Sequence, residues 1–239
     1  TLVPLVIIFL FRKTNIRDQV SFYSYVFLIA VFIVFQVGHF VKADFLTTYS
    51  YDSSFENLNV DPTLEHQIII DEDNAIELNY FLGNGYKVDI LNKPGKSGYP
   101  ETMETLVGEP RVILFREVNT SSLLKIKGWK VRLGSENIWK LNIFSMDSIF
   151  YLDNMNLTSS AFSGTGEIYL GSNLDLNNLV LNGEYEVTVS KDLPIVVKGK
   201  AEVPPSWLNA TVGYLNQYDE TYKLEIEIID GSEVIFKDE

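Results

Sequence analysis

Few residues in this 239-residue chain have types suited to chemistry: two histidines, no cysteine, and one dense acidic run, DEDN, from Asp71 to Asn74. His39 and His66 each stand without a partner at the spacing of a metal-ligand set or a catalytic triad, so a structural or exposed place is expected for both. The three carboxylates of Asp71 to Asn74 could hold a calcium ion, which takes six or more oxygens. The run lacks the alternating Asp/Asn and distal Glu of an EF-hand, and a solvated turn is the expectation. Serine is plentiful, but there is no G-x-S-x-G elbow, and a serine with no histidine near it is an unactivated alcohol. Neither a phosphate loop nor a dinucleotide fingerprint is present. A carboxylate pair for glycoside hydrolysis is set by a separation in space that sequence does not reveal.

Lys125, Lys127, Lys130 and Arg132 form a basic stripe on the polar faces of two successive expected strands. It could meet anionic lipid headgroups or envelope polymers; a charged outer face that discourages edge aggregation is the favoured reading. No catalytic, cofactor-binding or metal-ligating residue is assigned. The chain is expected not to be an enzyme and to need no cofactor.

The elements that would carry these residues divide the chain. Residues 20–41 hold no formal charge, enough helix to cover about 33 Å against a bilayer core of about 30 Å. A transmembrane helix is expected there, with aromatic residues at both interfaces. Residues 1–11 are apolar but too short to span, and read as the end of a preceding helix in a fragment, since the chain opens on Thr1 and not on Met. A signal peptide is disfavoured because the basic residues follow the apolar run. Arg12, Lys13 and Arg17 lie between the two runs and place that loop in the cytoplasm, so the segment after Val41 is expected outside the cell membrane. Residues before Asp44 balance to about +3, and the remainder, with 15 basic and 31 acidic residues, stands at −16. Such a body is a poor nucleic-acid binder. Sequons at Asn119, Asn156 and Asn209 are compatible with export.

Residues 1–43 thus form the membrane region, 44–64 a linker, and 65–239 an all-β domain. Within it, Ile76, Leu78 and Tyr80, then Tyr86, Val88 and Ile90 across Gly83-Asn84-Gly85, read as a hairpin. Gly128 reads as a turn or bulge glycine between two phases of alternation. "SIFYLDNMNLTSS", "GEIYLGSNLDLNNLVL", "GEYEVTVSKDLPIVVKG" and "YKLEIEIIDGSEVIFK" follow at roughly 15 to 20 residues, each a strand, a corner and another strand. This is the look of a β-solenoid or of stacked sheets, because each unit buries its apolar side only against its neighbour. In the last unit Leu224, Ile226 and Ile228 should face in while Glu225 and Glu227 face out. Pro204-Pro205 and Trp207 read as a loop excursion or an end cap.

Residues 139–239 resemble the toastrack domain of LiaF-like bacterial and archaeal membrane proteins. The carrying pieces are the "LDNMNLTS" strand and corner, the following G-x-x-x-L strand, the V-x-V-x-x-D-L-P-I-V-V unit with Asp192-Leu193-Pro194 at its corner, and the closing L-E-I-E-I-x-x-G-x-x-x-I. Of the glycine-rich strand texture of that family the chain shows Gly164 and Gly166. The resemblance implies a part in cell-envelope stress sensing or signalling, through the bilayer and other membrane proteins such as a sensor kinase, with an oligomer compatible. The rival expectations are an extracytoplasmic module that binds or cleaves a glycan, and a structural accessory subunit of a membrane complex.

Overall fold

The computed structural model describes residues 50–71, 74–92, 100–105, 111–117, 128–217 and 222–239, together with Ser24, Phe27, Leu28 and Val31. The chain forms two compact units, Thr1–Thr48 and Tyr49–Glu239. In the first, the four described residues are helical. Among the described residues no helix is long and apolar enough to cross a membrane; the expected span at 20–41, those four residues apart, and the apolar run at 1–11 lie outside them.

The second unit is β structure: among the described residues, fifteen strands join in one sheet. Its frame is three parallel strands of 15 residues, β8 (Ile138–Leu152), β9 (Asn156–Leu170) and β10 (Asp175–Val189). Each paired residue of β10 lies opposite the residue 19 positions earlier in β9, from Asn156 with Asp175 to Leu170 with Val189. The loose period seen in the sequence is therefore a true coil, one long strand and one short turn. Each turn tucks in one apolar side chain, Met155, Leu174 and Leu193 in succession, all buried. The turn amides bond down the stack, Gly171 N to Leu152 O at 2.9 Å and Ser190 N to Leu170 O at 2.9 Å.

Every long strand bends midway. In β8 the register shifts between Ser145 and Ser148, and the buried positions change from Trp139, Leu141 and Ile143 to Phe150 and Leu152, as a bulge requires when side chains alternate. The sheet thereby acquires two arms. The first runs β5 (Pro100–Thr105), β6 (Arg111–Glu117), β2 (Glu65–Asp71), the leading halves of β8, β9 and β10, then β14 (Leu224–Ile228), β11 (Ile195–Lys198), β13 (Gly213–Leu215) and β12 (Leu208–Ala210). The second runs β1 (Ser50–Asn57), β4 (Tyr86–Asn92), β7 (Gly128–Gly134), β3 (Ala75–Phe81), the trailing halves, and β15 (Glu233–Asp238). The arms close on each other. Phe150 of the second stacks on Phe162 of the first with centroids 4.5 Å apart, and Tyr86 meets Phe115 edge-on at 5.3 Å. Buried side chains from both arms make one core, with Trp129 and Trp139 among its largest members.

At each end of the stack a rung is inserted out of sequence. β2 sits between β6 and β8, and β3 between β7 and β8. β14 likewise sits between β10 and β11. This arrangement corrects the expected hairpin at 76–90, because β7 lies between β3 and β4 and pairs with both. The Gly83-Asn84-Gly85 loop must then cross two strand spacings of about 4.8 Å. It does so by wrapping the end of β7, with Gly134 N donating to Gly85 O at 2.7 Å and Glu136 N to Gly83 O at 3.1 Å. Gly128 is the buried first residue of β7.

Within the stretch read as a linker, Ser50–Asn57 forms β1 and pairs antiparallel with β4. A polar strand suits an edge, where apolar alternation would invite aggregation. The last unit behaves as its pattern indicates: Leu224, Ile226 and Ile228 are buried, and Glu227 is exposed. The Pro204-Pro205 segment caps the core with Trp207, whose indole packs at 5.4 Å on Phe236 and donates to Asp238 Oδ1 at 2.8 Å.

The bends are held by small residues. The Ser148 hydroxyl accepts from Ile76 N at 2.8 Å and donates to Ser145 Oγ at 2.7 Å, and both serines are buried. In the next rungs Gly164 and Gly183 have φ of +114° and +136°. A Cβ on Gly164 would overlap the Ser145 carbonyl, and one on Gly183 the Gly164 carbonyl. Gly183→Ala is therefore expected to cost on the order of 3 kcal/mol by adding a clash to an unfavourable φ, against about 1 for Gly231→Ala. Gly231 also has positive φ, +92°, but nothing lies within 4 Å of an added Cβ. Urea unfolding of the two variants measures the difference.

Candidate functional site

The residues singled out in the sequence do not come together. His66 is a buried residue of β2, its Nε2 2.8 Å from Asp61 O and its ring tilted against Trp139 at 5.7 Å. That is a packing role. The neighbouring Asp61 carboxyl is held below its ordinary range, first by the Thr63 hydroxyl and then by the Thr63 amide. Of the acidic run, Asp71 is exposed and Asn74 half-buried; Glu72 and Asp73 lie outside the described residues, as do His39, Lys125, Lys127 and Asn119. Asn156 opens β9, and Asn209 is exposed on β12. Among the described residues no group of three or more His, Cys, Asp or Glu is placed to hold a metal ion.

The described half of the basic stripe is charge-paired. Lys130 Nζ lies 2.7 Å from Glu77 Oε1 and Arg132 Nη2 2.6 Å from Asp89 Oδ2, each across to a neighbouring strand. Lys87 with Glu56, Lys198 with Glu225, and Lys237 with Glu186 repeat the device elsewhere on the sheet. Such exposed pairs each contribute little to stability, about 0–1 kcal/mol. Their effect is to fix which strand neighbours which, since like charges opposite one another are unfavourable.

One surface feature departs from this pattern. Parallel registry places Tyr151, Tyr169 and Thr188 one above the other on the outer face of the second arm. The two tyrosine rings stack at 5.0 Å with 16° between their planes. The Tyr169 hydroxyl donates to Glu167 Oε2 at 2.6 Å. That bond, then burial, then the charge of Glu167, push its phenol up to about 12. The third position is Thr188, too small to continue the ring column. The next residue across, Lys237 of β15, leans aside to Glu186. A shallow hollow of about 230 Å³ opens there, with Tyr151, Asp153, Tyr169, Thr188, Ser190 and Glu239 in its wall. Asp153 is fixed by accepting from Asn173 N at 3.1 Å and Asn154 Nδ2 at 2.7 Å.

Sequence reasoning missed this site, although a signal is present. Aligned on the coil, the segments FYLDN, IYLGS and VTVSK superpose, so the tyrosine repeats at one phase and then gives way to threonine.

No protein-family model and no curated protein sequence matches the chain. In fold it is similar to the crystal structure of "a putative cell adhesion protein from Clostridium sporogenes", at 17% identity and a TM-score of 0.56, over 78% of this chain and 99% of that one. This likeness establishes the all-β architecture.

Tyr185 is the other displaced phenol: burial pushes it well above its ordinary range, and its hydroxyl has no hydrogen-bond partner among the described residues. Tyr185→Phe should leave stability unchanged or raise it by about 1 kcal/mol, read from thermal or urea unfolding, because an unsatisfied buried hydroxyl is removed. For Tyr169 the sign follows from the raised native value. The folded state keeps a proton that the unfolded chain gives up, so the contribution is intact below pH 10 and is lost as pH rises from 10 to about 12. Ultraviolet titration of phenolate should show Tyr169 and Tyr185 ionising late, and Glu167→Gln should return only the Tyr169 part toward the ordinary range.

Proposed function

We propose that the β unit is a non-enzymatic contact module, held outside the cell at its membrane, that acts by protein–protein contacts in cell-envelope stress sensing. The observation that carries this reading is the registered outer face. Parallel rungs repeat side chains in fixed columns, and Lys130, Arg132 and Lys237 are each tied to a single carboxylate rather than gathered around a reacting centre. The sequence resemblance to LiaF-like toastrack proteins supports the regulatory setting, with other membrane proteins, a sensor kinase among them, as partners. The apolar segment at 20–41 supports attachment to a bilayer. The acidic body, at −16 beyond residue 43, favours partners with basic surfaces.

A second reading, an extracytoplasmic module that binds an envelope glycan, draws on the pair of exposed Tyr151 and half-buried Tyr169, because flat aromatic faces also pack against sugar rings. A cleaving module would need basic groups beside carboxylates in a groove, and Lys130 and Arg132 instead sit on an outer face in pairs. An accessory structural subunit would use the same face without signalling.

The test is crosslinked capture of the protein from its native membrane, with and without cell-wall-active stress, alongside protease digestion of intact cells. Stress-dependent recovery of a membrane regulator, with the β unit cut from outside, is the expected result. Retention on envelope polysaccharide with no protein partner would replace this reading with the glycan module.

A further inference from the structure

We propose that the hollow beside Tyr169 receives the guanidinium of an arginine presented by a partner protein. The inference rests on the contact-module reading and names the chemistry of one contact. Three observations converge on it. The Tyr151–Tyr169 stack ends at Thr188, so the outer side of the Tyr169 ring faces a gap where a third flat group would continue the column. Among the described residues, the wall around that gap carries Asp153 and Glu239 but no basic side chain. Tyr169 also donates its phenolic proton to Glu167, which leaves the ring electron-rich and better able to attract a cation across its face.

A guanidinium suits all three. It is planar, weakly hydrated on its faces, and carries edge donors that match carboxylates. An ammonium has the charge without the flat face. A neutral aromatic ring would stack but would bring apolar edges against Asp153 and Glu239. An anion is repelled by the wall.

The same sheet already uses these forces internally. Lys87 Nζ lies 5.2 Å from the centre of the Phe81 ring, and Lys237 crosses one rung to Glu186. Lys237 lies across from Thr188 in the register, and its pairing with Glu186 directs its charge away from the ring. The acidity of the whole body adds long-range attraction for a basic partner, which weakens as salt rises.

The experiment titrates the 239-residue chain with acetyl-arginine amide, with the neutral isostere acetyl-citrulline amide, and with a chitin oligosaccharide, following tyrosine ring resonances by NMR. Arginine amide is expected to bind in the millimolar range and to shift the Tyr169 signals; citrulline amide should bind about threefold to tenfold more weakly, as loss of an exposed cation–π contact and ion pair implies. Tyr169→Leu should remove the response. Thr188→Tyr should remove it too while leaving unfolding by urea unchanged or later, because it fills the gap and lengthens the stack. That variant separates an occupied site from a damaged fold. Equal binding of arginine and citrulline amides, no binding of either, or persistence of the response in Thr188→Tyr would overturn the proposal. So would binding of the oligosaccharide in their place. If membrane capture recovers the same regulator with native and Thr188→Tyr chains, the contact reading stands and the arginine slot fails. If capture recovers none while arginine amide binds as expected, the slot stands and the contact reading fails.

Discussion

A strand that turns a corner inside a sheet takes backbone groups out of the ladder, and buried groups without partners are costly. The bend through β8, β9 and β10 meets this cost with small residues. Ser148 supplies an acceptor for the Ile76 amide, Ser232 another for the Gly183 amide at 3.0 Å, and glycine lets one carbonyl nest beneath the next. Without the bend the two arms could not close, Phe150 could not reach Phe162, and the inward side chains of a flat sheet would have nothing opposite them. Core, arms and outer columns all descend from that corner.

The same registry that builds the core also organises the exterior. Because parallel rungs repeat every 18 or 19 residues, each outward position becomes a column, and a column can be charge-paired, aromatic or interrupted. Cross-strand pairs such as Arg132 with Asp89 fill several of the described cationic positions. The tyrosine column is aromatic instead, and its interruption at Thr188 leaves a concavity on that face. Rigidity matters for this, since side chains anchored on strands keep their spacing better than side chains on loops.

Much of the architecture could be read from residue order. The alternation in β14, the Asp192-Leu193-Pro194 corner and the recurring strand-corner-strand units are local signals, and local signals survive in a single sequence. Which strands become neighbours is not local. Asn84-Gly85 announces a turn after β3 but says nothing of β7 entering between the two strands it joins, so the hairpin expectation failed there. Ser50–Asn57 is polar enough to read as linker because an edge strand has little apolar surface to show. The site was missed for a related reason: Tyr151 and Tyr169 look like ordinary strand aromatics until the coil length is known, and only the register shows that they share a column with a threonine.

The inserted rungs bear on how the chain can reach this state. β14 bonds to β10 across 47 positions, as with Asn178 and Glu225, and β2 to β8 across 73, as with Glu65 and Ile138. A simple solenoid can zip from one turn to the next and can fray from its tips in the same way. Here each outer rung depends on a strand that arrives from farther along the chain or from well before it. The three central coils are thus the natural nucleus, with slow, late closure at both ends. A newly made chain that lacks its last strands would carry an open edge on β10, a period of vulnerability to misassembly that lasts until β14 and β15 emerge.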